Sequence, residues 1–208
     1  MLAVSNYSLI KQLLDIGADP TVQDQNGNTV LHHLCSTTLK RKKKGEILEL
    51  LLKSGTDINA VNHEGYTPLN RMIKEKTNLN MEDIQDLLMK KAGPNICLKG
   101  CNSPLINSLL RCKLDVASYL LKAGGDVKHE GKSGLTALHA VLNLELTSGY
   151  ITGRIEMIQK LLAAGSDVNK RELEGNTGLM FCLKSSCKRR KDEVLPVNRI
   201  PFGSWGRS

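Results

Sequence analysis

Aromatic residues are scarce: Phe, Trp and Tyr make up 3% of the 208 residues. Any core must therefore be filled by Leu, Ile, Val and Ala, which suits small helices packed on one another. No apolar run approaches the roughly 18 residues that a membrane-spanning helix requires. The opening stretch MLAVSNYSLIKQLL lacks a basic segment followed by a long apolar core, so it does not read as a secretory signal. Neither a P-loop nor a GxGxxG pattern occurs, which removes local support for nucleotide binding. The six cysteines lack the short regular spacing of a disulfide framework and read as reduced thiols of the cytosol or nucleus.

What the chain has is repetition. In GLTALHAVL, Gly134 to Leu142, Thr136 stands where a hydroxyl can cap a helix start. In EMIQKLLAAGSDVN, Glu156 to Asn169, an amphipathic helix ends at Gly165, where glycine adopts a left-handed conformation cheaply. The capping hydroxyl recurs as Thr29, Thr67, Ser103, Thr136 and Thr177, at intervals of 38, 36, 33 and 41. The stop glycine recurs as Gly17, Gly55, Gly93, Gly124 and Gly165, each with an Asp or Asn two residues on. From stop glycine to the next cap the distance is 12 residues four times, and 10 for Gly93 to Ser103. The added length of the longer repeats thus falls between the two helices of a unit.

The quartets Thr29-Val-Leu-His32, Thr67-Pro-Leu-Asn70, Ser103-Pro-Leu-Ile106, Thr136-Ala-Leu-His139 and Thr177-Gly-Leu-Met180, with the endings Gly55-Thr-Asp-Ile-Asn59 and Gly165-Ser-Asp-Val-Asn169, resemble ankyrin repeats. The resemblance covers roughly residues 1 to 187 and implies an all-α solenoid of stacked helix-turn-helix units joined by β-turns. Its divisions are a partial repeat 1–24, repeats 25–62, 63–98, 99–131 and 132–172, a partial repeat 173–187, and a basic tail 188–208. The incomplete units at both ends suggest a fragment or isoform of a longer array, acting as a monomer or associating end to end. Pro196 and Pro201 interrupt any last helix. The final ~20 residues, rich in Gly, Ser and Arg, are expected to be disordered.

The formal charge is +8, from 29 basic and 21 acidic residues. Lys40, Arg41, Lys42, Lys43 and Lys44 carry +5, and residues 184–208 carry another +5, which leaves −2 on the repeats. Both runs read as flexible. They are solvated loops or, with Lys188, Arg189, Arg190 and Lys191 as the second group, nuclear-import signals. Nucleic acid or acidic lipid is the remaining alternative, disfavoured by the lack of interleaved aromatics.

Catalysis has little support. His32, His33 and Cys35 lie close together, and a Cys–His pair can make a nucleophile. No third orienting group or oxyanion-hole motif accompanies them, and the resemblance gives His32 and His139 the task of tying a turn to neighbouring backbone. Cys97-x3-Cys101 and Cys182-x4-Cys187 are the close cysteine pairs, without an evident second pair of zinc ligands. No cofactor and no metal are expected.

The resemblance implies that the chain binds another protein along the wall made by its first helices and turns. Counted from each cap, the wall positions are His33, Ser36 and Thr37, then Arg71, Lys74 and Glu75, then Asn107, Leu110 and Arg111, then Asn143 and Leu144. The turn tips are Gln25 and Asn26, His63 and Glu64, Lys99, Glu130 and Lys132, and Glu172 and Glu174. The mixed signs of this set argue against a single highly charged ligand. The expectation is a non-enzymatic scaffold or adaptor, serving transcription or signalling proteins, or the regulatory segment of a larger protein.

Overall fold

A computed structural model describes residues 6–76, 79–143 and 151–187. Those residues form ten α-helices: α1 (Asn6–Asp15), α2 (Val30–Ser36), α3 (Arg41–Lys53), α4 (Pro68–Glu75), α5 (Met81–Met89), α6 (Pro104–Leu110), α7 (Leu114–Lys122), α8 (Ala137–Leu142), α9 (Ile151–Ala163) and α10 (Gly178–Cys187). Helices of 7 to 13 residues such as α2 and α3 are too short to persist alone in water, so packing must hold them. The chain solves this in two layers. First helices stack as α2 on α4, α4 on α6, α6 on α8 and α8 on α10, and second helices as α1 on α3, α3 on α5, α5 on α7 and α7 on α9.

The local signals act as the sequence implies. Thr67 Oγ1, Ser103 Oγ and Thr136 Oγ1 each accept a hydrogen bond from the backbone N–H three residues on. Pro68 and Pro104 open α4 and α6, where the missing N–H leaves nothing unpaired. The leucine after each of the first four caps, Leu31, Leu69, Leu105 and Leu138, is buried between the layers, whereas Leu179 after Thr177 is exposed. It is joined there by Ile47, Leu51, Ile84, Leu87, Val116, Leu120, Met157 and Leu161 from the second helices.

One stop position differs from the sequence reading. Gly17, Gly55, Gly124 and Gly165 have the left-handed backbone, but in the third repeat that conformation belongs to Lys91, at φ 70°, rather than to Gly93. Helix α5 accordingly ends two residues earlier than the glycine signal indicates. With Lys91 as the stop, the distance to the Ser103 cap is 103 − 91 = 12, so the connection has the same length at all five junctions. Lys91 meets the steric penalty of a Cβ in this conformation, about 1–2 kcal/mol.

The basic run at Lys40 is a second correction. It is not a flexible insertion: α3 begins at Arg41 and runs unbroken to Lys53. Arg41 pairs with Glu82 and Asp86 of α5, at 2.9 and 3.1 Å. Lys44 points inward, 7% exposed, with Nζ 2.7 Å from Asp83 Oδ2. Lys76 approaches the same carboxylate at 3.7 Å and donates to the Thr37 carbonyl at 2.7 Å. Two ammonium groups thus share one carboxylate between α2, α3, α4 and α5, beside the fully buried Cys35. Lys40, Lys42 and Lys43 remain exposed.

This cluster makes stability depend on alkaline pH. Burial, and then the neighbouring Lys44, draw Lys76 down from 10.5 to about 8. Between those values the unfolded chain binds the extra proton, so Lys76 destabilises the fold below pH 8 and the penalty fades as pH rises to 10.5. Cys35 has the opposite sign: burial lifts its thiol from 9.0 to about 11, a stabilising contribution that is full below pH 9.0 and gone above 11. Lys76→Met removes the first effect and leaves the Cys35 thiol in place. Its stability relative to the parent, measured by thermal melting, should fall steadily from pH 8 to 10.5. A difference that stays flat over that window would contradict the assignment.

Candidate interaction surface

Three of the five turns before a first helix are closed by the side chain five residues ahead of the cap. Asp24 Oδ1 accepts from the backbone N–H groups of Asn26 and Asn28, at 2.8 and 2.9 Å. Asn62 Oδ1 does the same for Glu64 and Tyr66, at 3.1 and 3.0 Å. Glu172 does so for Glu174 and Asn176, both at 2.9 Å. These hydrogen bonds favour the ionised carboxylates: Asp24 is held far below the usual range, chiefly by the Asn28 N–H, and Glu172 is lowered chiefly by the Glu174 N–H. The corresponding residues in the fourth and fifth repeats are Leu98 and Gly131, which cannot do this.

Neighbouring turns are joined through backbone. The His63 N–H donates to Asn26 O at 3.0 Å, Leu98 N–H to Gly65 O at 3.1 Å, and Leu173 N–H to Ser133 O at 2.9 Å. Gly27 is obligatory here, since at φ 75° a Cβ would lie 2.8 Å from the His63 nitrogen.

Beneath the turns, side chains tie each repeat to the next. His32 closes the Thr29 cap through Nδ1, and its Nε2 lies 2.9 Å from the Tyr66 carbonyl. Asn70 occupies the same place one repeat later and donates from Nδ2 to the equivalent carbonyl, that of Asn102, at 2.8 Å. Its spare Oδ1 accepts from Asn107 Nδ2 at 2.8 Å. Asn62 Nδ2 donates to Asn28 Oδ1 at 2.9 Å in the preceding pair of repeats. His32 is therefore occupied on both nitrogens, and Cys35 is a buried thiol. The two do not form a nucleophilic pair.

Asn107 is consequently corrected: it is 5% exposed and belongs to this ladder, not to the open wall. Glu172 is likewise 8% exposed and bound up in its turn. Of the other wall positions, His33 is exposed and pairs with Asp24 at 2.9 Å. Ser36 and Thr37 are half-buried, and both hydroxyls donate to carbonyls of α2. Arg71 Nε holds Glu75 at 2.9 Å. Lys74 holds Glu64 at 2.5 Å and lies 4.4 Å over the Tyr66 ring. The Lys74 ammonium keeps the Glu64 carboxyl below its ordinary value. Leu110, Arg111 and Asn143 are exposed, as are Gln25, Asn26, His63, Lys99, Glu130, Lys132 and Glu174 at the turns. Leu144 and Lys188, Arg189, Arg190 and Lys191 lie outside the described residues.

The acids and bases that make the wall look mixed in the sequence are thus largely spent on one another. Glu64 and Glu75 neutralise Lys74 and Arg71, and Glu130 holds Lys170 at 2.6 Å. Lys99, Arg111 and Lys132 form no ion pair among the described residues. Leu98, half exposed at a turn tip, was missed by counting from the caps. The missing polar residue five before Ser103 is the signal that finds it.

Among the described residues no group of three or more His, Cys, Asp or Glu side chains is arranged to hold a metal ion. Cys97 Sγ lies 3.5 Å from His129 Nε2, and that nitrogen lies 2.7 Å from the Cys101 carbonyl, so the trio serves to link two turns. Cys112 is exposed, in a left-handed turn between α6 and α7. No described helix is long and apolar enough to cross a membrane.

The family model described as ankyrin repeats (3 copies) matches residues 1–96. The chain is 26% identical over 178 residues to the mouse B-cell lymphoma 3 protein homolog, covering 83% of this chain and 36% of that protein. To the chicken nuclear factor NF-kappa-B p105 subunit it is 30% identical over 169 residues, covering 78% of this chain and 16% of that one. To the Inhibitor of Apoptosis OPG037 of vaccinia virus (strain Western Reserve) it is 42% identical over 67 residues, 32% of this chain and 13% of that one. The chain thus spans about a third or less of these relatives' lengths. Among solved structures, the crystal structure of the ankyrin repeat domain of Bcl-3, described as a unique member of the IkappaB protein family, matches with a TM-score of 0.64 and 27% identity, covering 85% of this chain and 72% of that one.

Proposed function

Because the chain is an array of ankyrin repeats, we propose that it works as a non-enzymatic protein-interaction module whose binding surface is the wall of first helices and turn tips. The observation that carries this reading is a division of labour. The ladder of His32, Asn62, Asn70 and Asn107 fixes the turns from beneath, so Leu110, Arg111, Asn143, Lys99 and Lys132 face solvent with no part in the core. A rigid scaffold with free side chains on one wall provides pre-organisation, which lowers the entropy lost on binding.

Two of the relatives that span most of this chain are a B-cell lymphoma 3 homolog and an NF-kappa-B subunit, which supports transcription regulators as the partner class and the nucleus or cytoplasm as the location. Lys40–Lys44 is a poor import signal, since Arg41 and Lys44 are engaged by acids of α5. Lys188–Lys191 is the better one.

Proximity labelling in cells tests the wall. The intact chain is compared with a Leu110→Arg, Asn143→Arg variant, which adds bulk at exposed positions and leaves the core alone. Loss of a defined set of partners, with unchanged melting, is the expected result. Partners retained in full would overturn the reading.

A further inference from the structure

The wall is not electrically uniform. In the third repeat two acids and two bases face outward and cancel: Glu64 with Lys74 and Glu75 with Arg71. In the fourth repeat the corresponding positions are Lys99 and Gly100 at the turn, Asn107 and Leu110 on α6 and Arg111 just after it, with no acid among them. In the fifth they are Lys132 and Ser133 at the turn, the buried Ala140 on α8 and Asn143 just after it, and the one acid of that turn, Glu130, is held by Lys170. Glu64 registers the charge of Lys132, but its carboxylate is already held by Lys74. Three exposed cations, Lys99, Arg111 and Lys132, therefore lack a carboxylate partner among the described residues.

Two exposed apolar side chains adjoin two of them in the sequence. Leu110 is 37% exposed, at the end of α6 beside Arg111. Leu98 is 50% exposed, next to Lys99, at the position where Asp24, Asn62 and Glu172 close three of the other turns. A leucine there forfeits the turn-closing hydrogen bonds and leaves half of an apolar side chain exposed, a local conflict between sequence and turn. Conflicts of this kind mark places where a surface is used.

Resting on the interaction-wall reading, we propose that the fourth repeat and the turn of the fifth dock an acidic peptide segment of a partner protein. Its carboxylates meet Lys99 and Lys132 at the turn tips and Arg111 at the end of α6, and its apolar side chains cover Leu98 and Leu110. Arg111 suits a carboxylate, because its guanidinium can hold both oxygens at once. Nucleic acid fits less well, since none of the five residues offers a ring on which a base could stack.

Fluorescence anisotropy of the full chain tests this with a short fluorescein-labelled peptide of glutamates around two leucines. Its glutamine counterpart and a short oligothymidylate serve as comparators. The acidic peptide is expected to bind, more weakly as salt rises. Combined Lys99→Glu, Arg111→Glu and Lys132→Glu should weaken it by about tenfold or more, since like charges then face each other. Leu98→Ser with Leu110→Ser should weaken it at unchanged salt dependence. Lys53→Glu with Lys122→Glu, on the second-helix layer, should not. Equal weakening by that control pair would reduce the effect to general attraction by a basic chain and overturn the proposal. Tighter binding of the oligothymidylate would overturn it in favour of nucleic acid. If the peptide fails to bind while Leu110→Arg, Asn143→Arg still loses its cellular partners, the acidic chemistry falls and the wall stands. If those partners are also kept, both fall.

Discussion

Asp83→Ala is expected to destabilise the fold by about 3–5 kcal/mol, the largest effect of any single side-chain truncation in the charged set. Asp83 is the one carboxylate between Lys44 and Lys76, whose side chains are 8% and 14% exposed. Removing it leaves two buried ammonium groups facing each other. The ion pair itself is not the source of so large a figure, because desolvation offsets most of its Coulomb energy. The loss comes from the charges left behind. Lys44→Met in the Asp83→Ala background should therefore recover much of the stability, since a methionine fills similar volume without charge. Urea unfolding of the four members of this cycle measures the coupling. The surface pair Lys90–Glu49, 41% and 53% exposed, is the control, and Glu49→Ala should cost about 0–1 kcal/mol. An Asp83→Ala loss no larger than that would mean water reaches the lysines.

Asn70→Ala is the second large effect. It removes the donor to the Asn102 carbonyl and the acceptor for Asn107 Nδ2, leaving two buried polar groups unpaired at about 1–3 kcal/mol each. The damage should be local, spanning the junction of the third and fourth repeats. Hydrogen exchange should lose protection over residues 102–107 before it changes at α2. Asn70→His should restore part of the loss, because His32 makes the equivalent carbonyl contact one repeat earlier. A variant as stable as the parent would show that water replaces the amide.

The repeat frame was legible because caps, leucines and stop glycines act locally. Thr67, Ser103 and Thr136 do in space what their spacing implies, and Leu69 and Leu105 bury fully. Lys91 escaped because a lysine carries no signal for a left-handed backbone, and Gly93 stood nearby to attract the assignment. The 12-residue spacing seen at the other junctions was the truer guide. Lys44 escaped because its partner Asp83 lies 39 residues away, and a run of lysines looks alike whether solvated or paired. Asn107 escaped for a related reason. In the second repeat that position is the exposed His33, but beneath Asn107 the histidine of the preceding repeat is replaced by Asn70, which offers a free oxygen. The apparent mixture of charges on the wall dissolved in the same way, since pairing is a property of geometry and not of composition.

A photo-crosslinking amino acid placed in turn at Leu110, Asn143, Glu49 and Lys122, in the full chain and in cells, tests the central claim most directly. All four positions are exposed, the first two on the wall and the last two on second helices. The wall positions should yield the same discrete protein adduct and the second-helix positions none. Adducts formed from Glu49 and Lys122 and absent from Leu110 and Asn143 would place the partner on the other layer and contradict the account.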